Sequence, residues 1–282
     1  IMRIIAANID TVILEDSCDK KLQQLASLLV HMPKLRNVTL GTTTRAILPV
    51  KFISATAGEK VERLKLVGCN LEGIWSGAAA SNKNLGGSES VASTNTNLAS
   101  CYPNLKSLHL RGGPKRKFSG ALLSRLPKSL TELDVADSAY YAVDLTSNWP
   151  PSLTSLTFGR HCDFSDFYKI FGRLPPTLLS LTCKTAAYST YGWSLSSELK
   201  ELPSGLQTLI LNTHYLRTSQ FYALPHSLKT LRVVSIIIDT DATSTVPKTT
   251  LLPYLTHFEF DSLRDNTGTD LSPVLAQLSS LR

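Results

Sequence analysis

The strongest constraint on this chain is a spaced apolar pattern that returns ten times. Its most regular copy is Val61-Glu-Arg-Leu64-Lys-Leu66-Val-Gly-Cys69-Asn-Leu71, apolar at relative positions 1, 4, 6 and 11, with a cysteine at position 9. Leu64 and Leu66 are two residues apart, so they leave a short strand on the same side. Val61 and Leu71 flank that strand and turn inward with it. Position 9 falls where the backbone has to bend away, which suits a small side chain that packs or hydrogen-bonds there. A segment this short cannot cover its own apolar face and needs a copy on each side.

The copies are present. They read Ile9-Val12-Leu14, Leu35-Val38-Leu40, Val61-Leu64-Leu66, Leu105-Leu108-Leu110, Leu130-Leu133-Val135, Leu153-Leu156-Phe158, Leu178-Leu181-Cys183, Leu206-Leu209-Leu211, Leu228-Leu231-Val233 and Leu255-Phe258-Phe260. An eleventh begins at Leu281. Successive copies are 22–28 residues apart except for one step of 44, from Val61 to Leu105. That step contains a stretch at about 76–100 rich in Gly, Ser, Ala and Asn. Such a composition has too little apolar surface to fold alone, so it is expected to be a flexible insertion within one repeat.

A second marker precedes the strands. Leu126-Pro127, Trp149-Pro150, Leu174-Pro175, Leu202-Pro203 and Leu224-Pro225 each put a large apolar residue before a proline three residues ahead of position 1. Pro33, Pro103 and Pro253 sit one place later. Proline ends whatever helix precedes it and biases its predecessor towards extended geometry, so each pair marks entry into a strand. Between strands the apolar period lengthens. Lys20 to Met32, Phe118 to Leu126, Phe164 to Leu174, Gln220 to Leu224 and Leu271 to Leu278 are spaced for short amphipathic helices. Tyr140 to Asn148 and Tyr188 to Glu201 suit loops or single turns.

This pattern resembles the leucine-rich repeat family over almost the whole chain, Ile9 to Leu281. The family form L-x-x-L-x-L-x-x-N/C-x-L is matched in full at Val61 to Leu71. Elsewhere position 9 is Ser17, Thr43, Gly113, Ser138, His161, Ala186, His214, Ile236 or Leu263, so a ladder of stacked asparagines is missing. The L-P-x-S-L-x-x-L form is similar to divergent repeats of eukaryotic intracellular proteins, F-box types among them. The resemblance implies an α/β fold: a curved horseshoe solenoid with a parallel β-sheet on the concave face and short helices or loops on the convex face. Residues 1–282 would form one domain of about ten irregular repeats, a fragment of a longer chain with any F-box outside it. It also implies a non-enzymatic protein-binding scaffold, in its narrower form the substrate-recognition part of a ubiquitin-ligase receptor.

The residues between the inward ones would line the concave face. Its early rows are basic, carrying Arg36, Arg63, Lys65, Lys106, His109 and Arg111, and the adjoining loop adds Lys115, Arg116 and Lys117. Asp134, Lys184, Asn212, Lys229, Arg232 and Glu259 continue the face among rows of hydroxyl and amide residues. With a net charge of +7 and a pI near 9.1, the expected partner is an acidic or phosphorylated protein segment. Nucleic-acid or ribonucleoprotein association through the same basic half is the second reading. Aromatic residues Tyr140, Tyr141, Tyr188, Tyr191 and Trp193 fall after the strands, where they suit a partner hot spot or a covered flank.

No catalytic signature occurs: there is no H-E-x-x-H, G-x-S-x-G, P-loop or dinucleotide fingerprint. The run His161-Cys162-Asp163 has reactive types, but sequence neighbours point in different directions. No metal or cofactor is expected. Five cysteines at wide spacing, without a CxxC, read as free thiols of a reducing compartment, cytoplasmic or nuclear. No apolar run approaches the roughly 18 residues of a membrane span, so no membrane role is expected.

Overall fold

A computed structural model describes residues 9–14, 29, 31–41, 59–68, 98–111, 125–135, 149–158, 168–184, 199–237 and 252–264. Each of the ten apolar copies contributes one strand. They are β1 (Thr11–Leu14), β2 (Asn37–Gly41), β3 (Arg63–Val67), β4 (Ser107–Arg111), β5 (Glu132–Val135), β6 (Ser155–Phe158), β7 (Ser180–Cys183), β8 (Thr208–Arg217), β9 (Thr230–Ile237) and β10 (His257–Arg264). They form one 10-stranded sheet in sequence order, parallel throughout. The sheet lines the concave side of a solenoid.

Register follows from the apolar positions. Position 4 of one copy faces position 4 of the next, as in Leu64↔Leu108↔Leu133↔Leu156↔Leu181↔Leu209↔Leu231. The leucines of positions 1 and 4 from Leu105 to Leu231 are at most 1% exposed. Each contributes roughly 1.5–3 kcal/mol on burial, and that burial depends on the neighbouring copies. Cys183 takes position 6 in β7 and is fully buried, so its thiol acts as a small apolar group.

Two backbone devices recur. The carbonyl at position 2 of each copy accepts the N–H groups of positions 2 and 3 of the next, at 2.8–3.0 Å, at every interface from Asp10 to His257. The 44-residue step obeys the same rule, with Lys106 and Ser107 both donating to Glu62 O. Before the strand a tight turn closes on position 1, for example Leu35 N to Met32 O and Leu178 N to Pro175 O. The two proline placements therefore mark one turn, with proline at its second or its first position.

The turn also explains the recurring hydroxyl. Ser129, Thr177 and Ser227, each just before position 1, donate to two carbonyls of the preceding copy. Ser129 reaches Pro103 O at 2.7 Å and Leu105 O at 2.9 Å, and Thr177 reaches Pro151 O at 3.2 Å and Leu153 O at 2.8 Å. Asn104 Nδ2 donates to one carbonyl of the preceding repeat, Glu59 O, at 2.7 Å. At position 2, Thr131, Thr154 and Thr256 each bond the position-2 carbonyl behind them. These short polar side chains tie neighbouring copies together at the strand entry, in a chain with no asparagine ladder at the exit.

Three expectations change. In β9 the backbone does not bend at position 9: it stays paired through Ile237, and Ile236 at position 9 is fully buried. A continuing ladder satisfies the backbone itself, so an apolar side chain replaces the polar one. The described parts of the bridging segments 164–174 and 220–224 form 3-10 rather than α-helix, over Tyr168–Arg173 and Thr218–Ala223. A 3-10 helix rises about 2 Å per residue against 1.5 Å, which spans a short repeat with fewer residues. Leu199–Glu201 forms one 3-10 turn, in keeping with the loop or single turn expected there. Finally, residues 98–100, the end of the expected insertion, belong to α1 (Leu98–Cys101), whose Leu98 is 3% exposed in the core. The remainder of 76–100, residues 20–28, 118–124 and 271–278 of the other helical spans, and the eleventh copy lie outside the described residues.

We predict that Ser129→Ala and Ser227→Ala each destabilise the chain by about 1 kcal/mol in urea unfolding, and Leu181→Ala by about 2–5 kcal/mol. Gly68 has φ of 69°, so Gly68→Ala costs about 1–2 kcal/mol.

Candidate functional site

Positions 3 and 5 of each strand point to the concave side, so register turns sequence into columns. The position-3 column reads Asn37, Arg63, Ser107, Glu132, Ser155, Ser180, Thr208, Thr230 and His257. The position-5 column reads Thr39, Lys65, His109, Asp134, Thr157, Thr182, Ile210, Arg232 and Glu259. Cations on β3 are thus followed by Ser107 and His109 on β4, and by carboxylates on β5.

The expected basic half is a cross-linked network. Glu62 takes Lys106 Nζ at 3.0 Å and Arg36 Nε at 3.9 Å. Its hydrogen bond with Lys106, then the charges of Lys106, Arg36 and Arg63, hold its carboxyl below the usual range. Asp134 is 6% exposed and takes Arg111 Nη2 at 3.1 Å and His109 Nδ1 at 3.2 Å. Glu132 accepts from Ser107 Oγ at 2.7 Å and lies 3.4 Å from His109 Nε2. Arg36, Lys106, His109 and Arg111 are therefore engaged across strands. Among the described residues neither Arg63, which is exposed, nor Lys65, which is half-buried, forms an ion pair.

The other candidates stand apart. Lys184 follows β7, Asn212 lies in β8, and Lys229, Arg232 and Glu259 belong to β9 and β10 or their entries. Arg232 Nη2 meets Glu259 Oε1 at 3.3 Å, with His257 3.9 Å from the same carboxylate. Five strand steps separate β4 from β9, roughly 24 Å, so the second cluster is separate from the first. Between them Ser155, Thr157, Ser180, Thr182 and Thr208 carry no charge. Lys115, Arg116 and Lys117, the aromatic candidates, and His161-Cys162-Asp163 lie outside the described residues. Glu62 and Glu132 were not among the expected site residues. Their signal was sequence-visible: each sits at a strand-face position one repeat away from a cation.

Ser107, His109 and Asp134 fall in the order of a nucleophile, base and orienting carboxylate, with His109 Nε2 2.9 Å from Ser107 Oγ. The surroundings do not activate the serine. It is 4% exposed, and its hydroxyl lies against Glu132. The backbone N–H groups of Lys106 and Ser107 are both consumed by Glu62 O, so neither is available as an oxyanion donor. Among the described residues no group of His, Cys, Asp and Glu is arranged to hold a metal ion. No helix of the described residues is long and apolar enough to cross a membrane.

No protein-family model matches the chain, and no curated protein matches it in sequence. Among solved structures, that of the TLR13–ssRNA13 complex superposes with a TM-score of 0.57 at 14% identity, over 99% of this chain and 36% of that one. An internalin from Listeria monocytogenes aligns with a TM-score of 0.47 at 14% identity, over 99% and 87% of the two chains. The leucine-rich-repeat protein LegL7 from Legionella pneumophila aligns with a TM-score of 0.43 at 13% identity, over 97% and 91%. The chain spans only about a third of the first of these. Ten in-register parallel strands on an L-x-x-L-x-L repeat, with that first superposition, define the fold as a leucine-rich-repeat solenoid.

The hydrogen bond to Asp134, reinforced by the charges of Glu132 and Asp134 against burial, raises the His109 pKa above 6.5. A raised folded-state pKa adds stability that is complete below pH 6.5 and is lost as pH rises through the folded value. The stability gap between the wild type and His109→Gln is accordingly widest on the acid side of pH 6.5 and narrows above it, as read by urea unfolding at several pH values.

Proposed function

We propose that this chain is a non-enzymatic protein-binding scaffold that holds a partner on its concave face and adjoining loops, with an acidic or phosphorylated group docked on β3. One observation carries this reading: on a face where Arg36, Lys106 and Arg111 are matched by carboxylates, Arg63 and Lys65 form no ion pair among the described residues. Two residues apart on one strand, they present cations on the same side. Docking an anion there disrupts no existing pair.

The same face disfavours the nucleic-acid reading. With Arg36 and Lys106 paired to Glu62, and Arg111 to Asp134, few cations of these strands remain to neutralise successive phosphates of a backbone. Substrate recognition within a ubiquitin ligase is the narrower form of the scaffold reading; the L-P-x-S-L resemblance supports it. The buried Cys183 thiol and the wide cysteine spacing support a cytoplasmic or nuclear setting.

The charge-reversed pair Arg63→Glu with Lys65→Glu tests the docking site. Recovery of the wild-type partners by affinity capture should fall at least about tenfold, with the unfolding midpoint held near that of the wild type. Unchanged recovery contradicts the reading. Affinity falling steeply with salt, with a log–log slope of about −6 or beyond, would instead favour nucleic acid.

A further inference from the structure

The geometry points to a proton-operated switch on the concave face: His109 and Ser107 together decide whether Glu132 is held by β4 or released onto the binding surface. This inference deepens the docking reading, because the switch lies beside Arg63 and Lys65.

Three contacts form a chain. His109 Nδ1 faces Asp134 Oδ2 at 3.2 Å, His109 Nε2 faces Ser107 Oγ at 2.9 Å, and Ser107 Oγ faces Glu132 Oε2 at 2.7 Å. Both ionised carboxylates can only accept. Asp134 therefore requires a proton on Nδ1, and Glu132 requires the serine hydroxyl proton. The serine oxygen then receives its own hydrogen bond from a proton on Nε2. All three contacts are satisfied together only when the ring carries both protons, as imidazolium.

Loss of one proton to solvent breaks this accounting. If Nδ1 keeps its proton for Asp134, Nε2 becomes an acceptor. Ser107 then has one proton and two claimants, Nε2 and Glu132. When it turns to the ring, Glu132 loses its donor together with the attraction of the cationic Nε2 at 3.4 Å. Its side chain is already 45% exposed, so release costs little desolvation. Asp134 does not follow, because Arg111 still holds it and it is buried. Deprotonation thus lowers the charge of the network by one and leaves an unattached carboxylate on that face.

The surroundings act in both directions. From β5, Glu132 and Asp134 favour the imidazolium. Opposing it are Lys65 and Arg63 on β3, which face His109 and Ser107 in register, and Arg111 and Lys106 at the two ends of β4. Glu62 offsets Lys106. An anion docked on Arg63 and Lys65 neutralises two of the opposing cations, so its binding takes up a proton at His109. Affinity for an anionic segment is highest on the acid side of the His109 midpoint and falls above it.

The test is a titration of the histidine ring nitrogens by nitrogen-15 NMR on the whole chain. Wild type is compared with Ser107→Ala and Glu132→Gln, and the strand amide pattern confirms the fold. The wild-type midpoint is expected above 6.5. Each variant should lower it by about half a unit, the effect of one lost hydrogen bond. A midpoint insensitive to both variants overturns the inference, as does a wild-type midpoint at or below 6.5. Hexaglutamate serves as the anionic probe. A peptide that binds with the same affinity on both sides of the midpoint also overturns the switch. A peptide that binds at no pH, with the midpoint still moved by the two variants, contradicts the docking reading instead.

Discussion

The fold of this chain depends on one constraint: a single strand, here of four to ten residues, cannot bury its own apolar side chains. Each copy supplies three large apolar groups and half of a cavity to hold them, and the next copy supplies the other half. The backbone enforces this pairing at a single atom, the position-2 carbonyl, which takes two N–H groups from the following copy at every interface. Hydroxyls before the strands, such as Ser129 and Thr177, add side-chain ties at the same edge. Stability is then a sum over neighbours rather than a property of any repeat.

The same register shapes the surface. Residues 23 to 44 positions apart become ion-pair neighbours once strands align, so charges that look like a basic cluster in sequence become ion pairs in space. Lys106 and Glu62 are one such pair, and Arg111 and Asp134 another. The exposed Lys106–Glu62 pair contributes little stability, while Arg111 covers a buried Asp134 carboxylate. Their larger effect is on recognition, since they engage Arg36, Lys106 and Arg111 and, among the described residues of β3 and its two neighbouring strands, leave Arg63 and Lys65 outside any ion pair.

Much of the fold was readable from residue spacing, because burial demands it. Positions 1, 4 and 6 had to be apolar in every copy, and even Cys183 and Phe258 obey. The proline entries were legible as stops, since proline's geometry is local. Helix type was not legible. Apolar spacing over Phe164 to Leu174 reads as α, whereas the length available between strands selects a 3-10 segment at Tyr168–Arg173. Position 9 in β9 misled for a related reason: Ile236 looked like a lost polar ligand of the turn, but the ladder continues and an apolar side chain fits. Of the candidate site, the side-chain identities were visible and the pairings were not. Whether Glu132 meets His109 depends on register across two repeats, which no single repeat encodes.

Register across the longest step is the point on which the account stands, since it aligns β3 with β4 and so creates both the Glu62–Lys106 pair and the His109 network. Amide hydrogen exchange at Lys106 and Ser107 reads it directly, because both N–H groups donate to Glu62 O across that step. Both amides are expected to show protection comparable to that of Lys229 and Thr230, which make the same pair of bonds to Gln207 O at an ordinary 22-residue step. Exchange of Lys106 and Ser107 at open-chain rates, with Lys229 and Thr230 protected, would contradict that register.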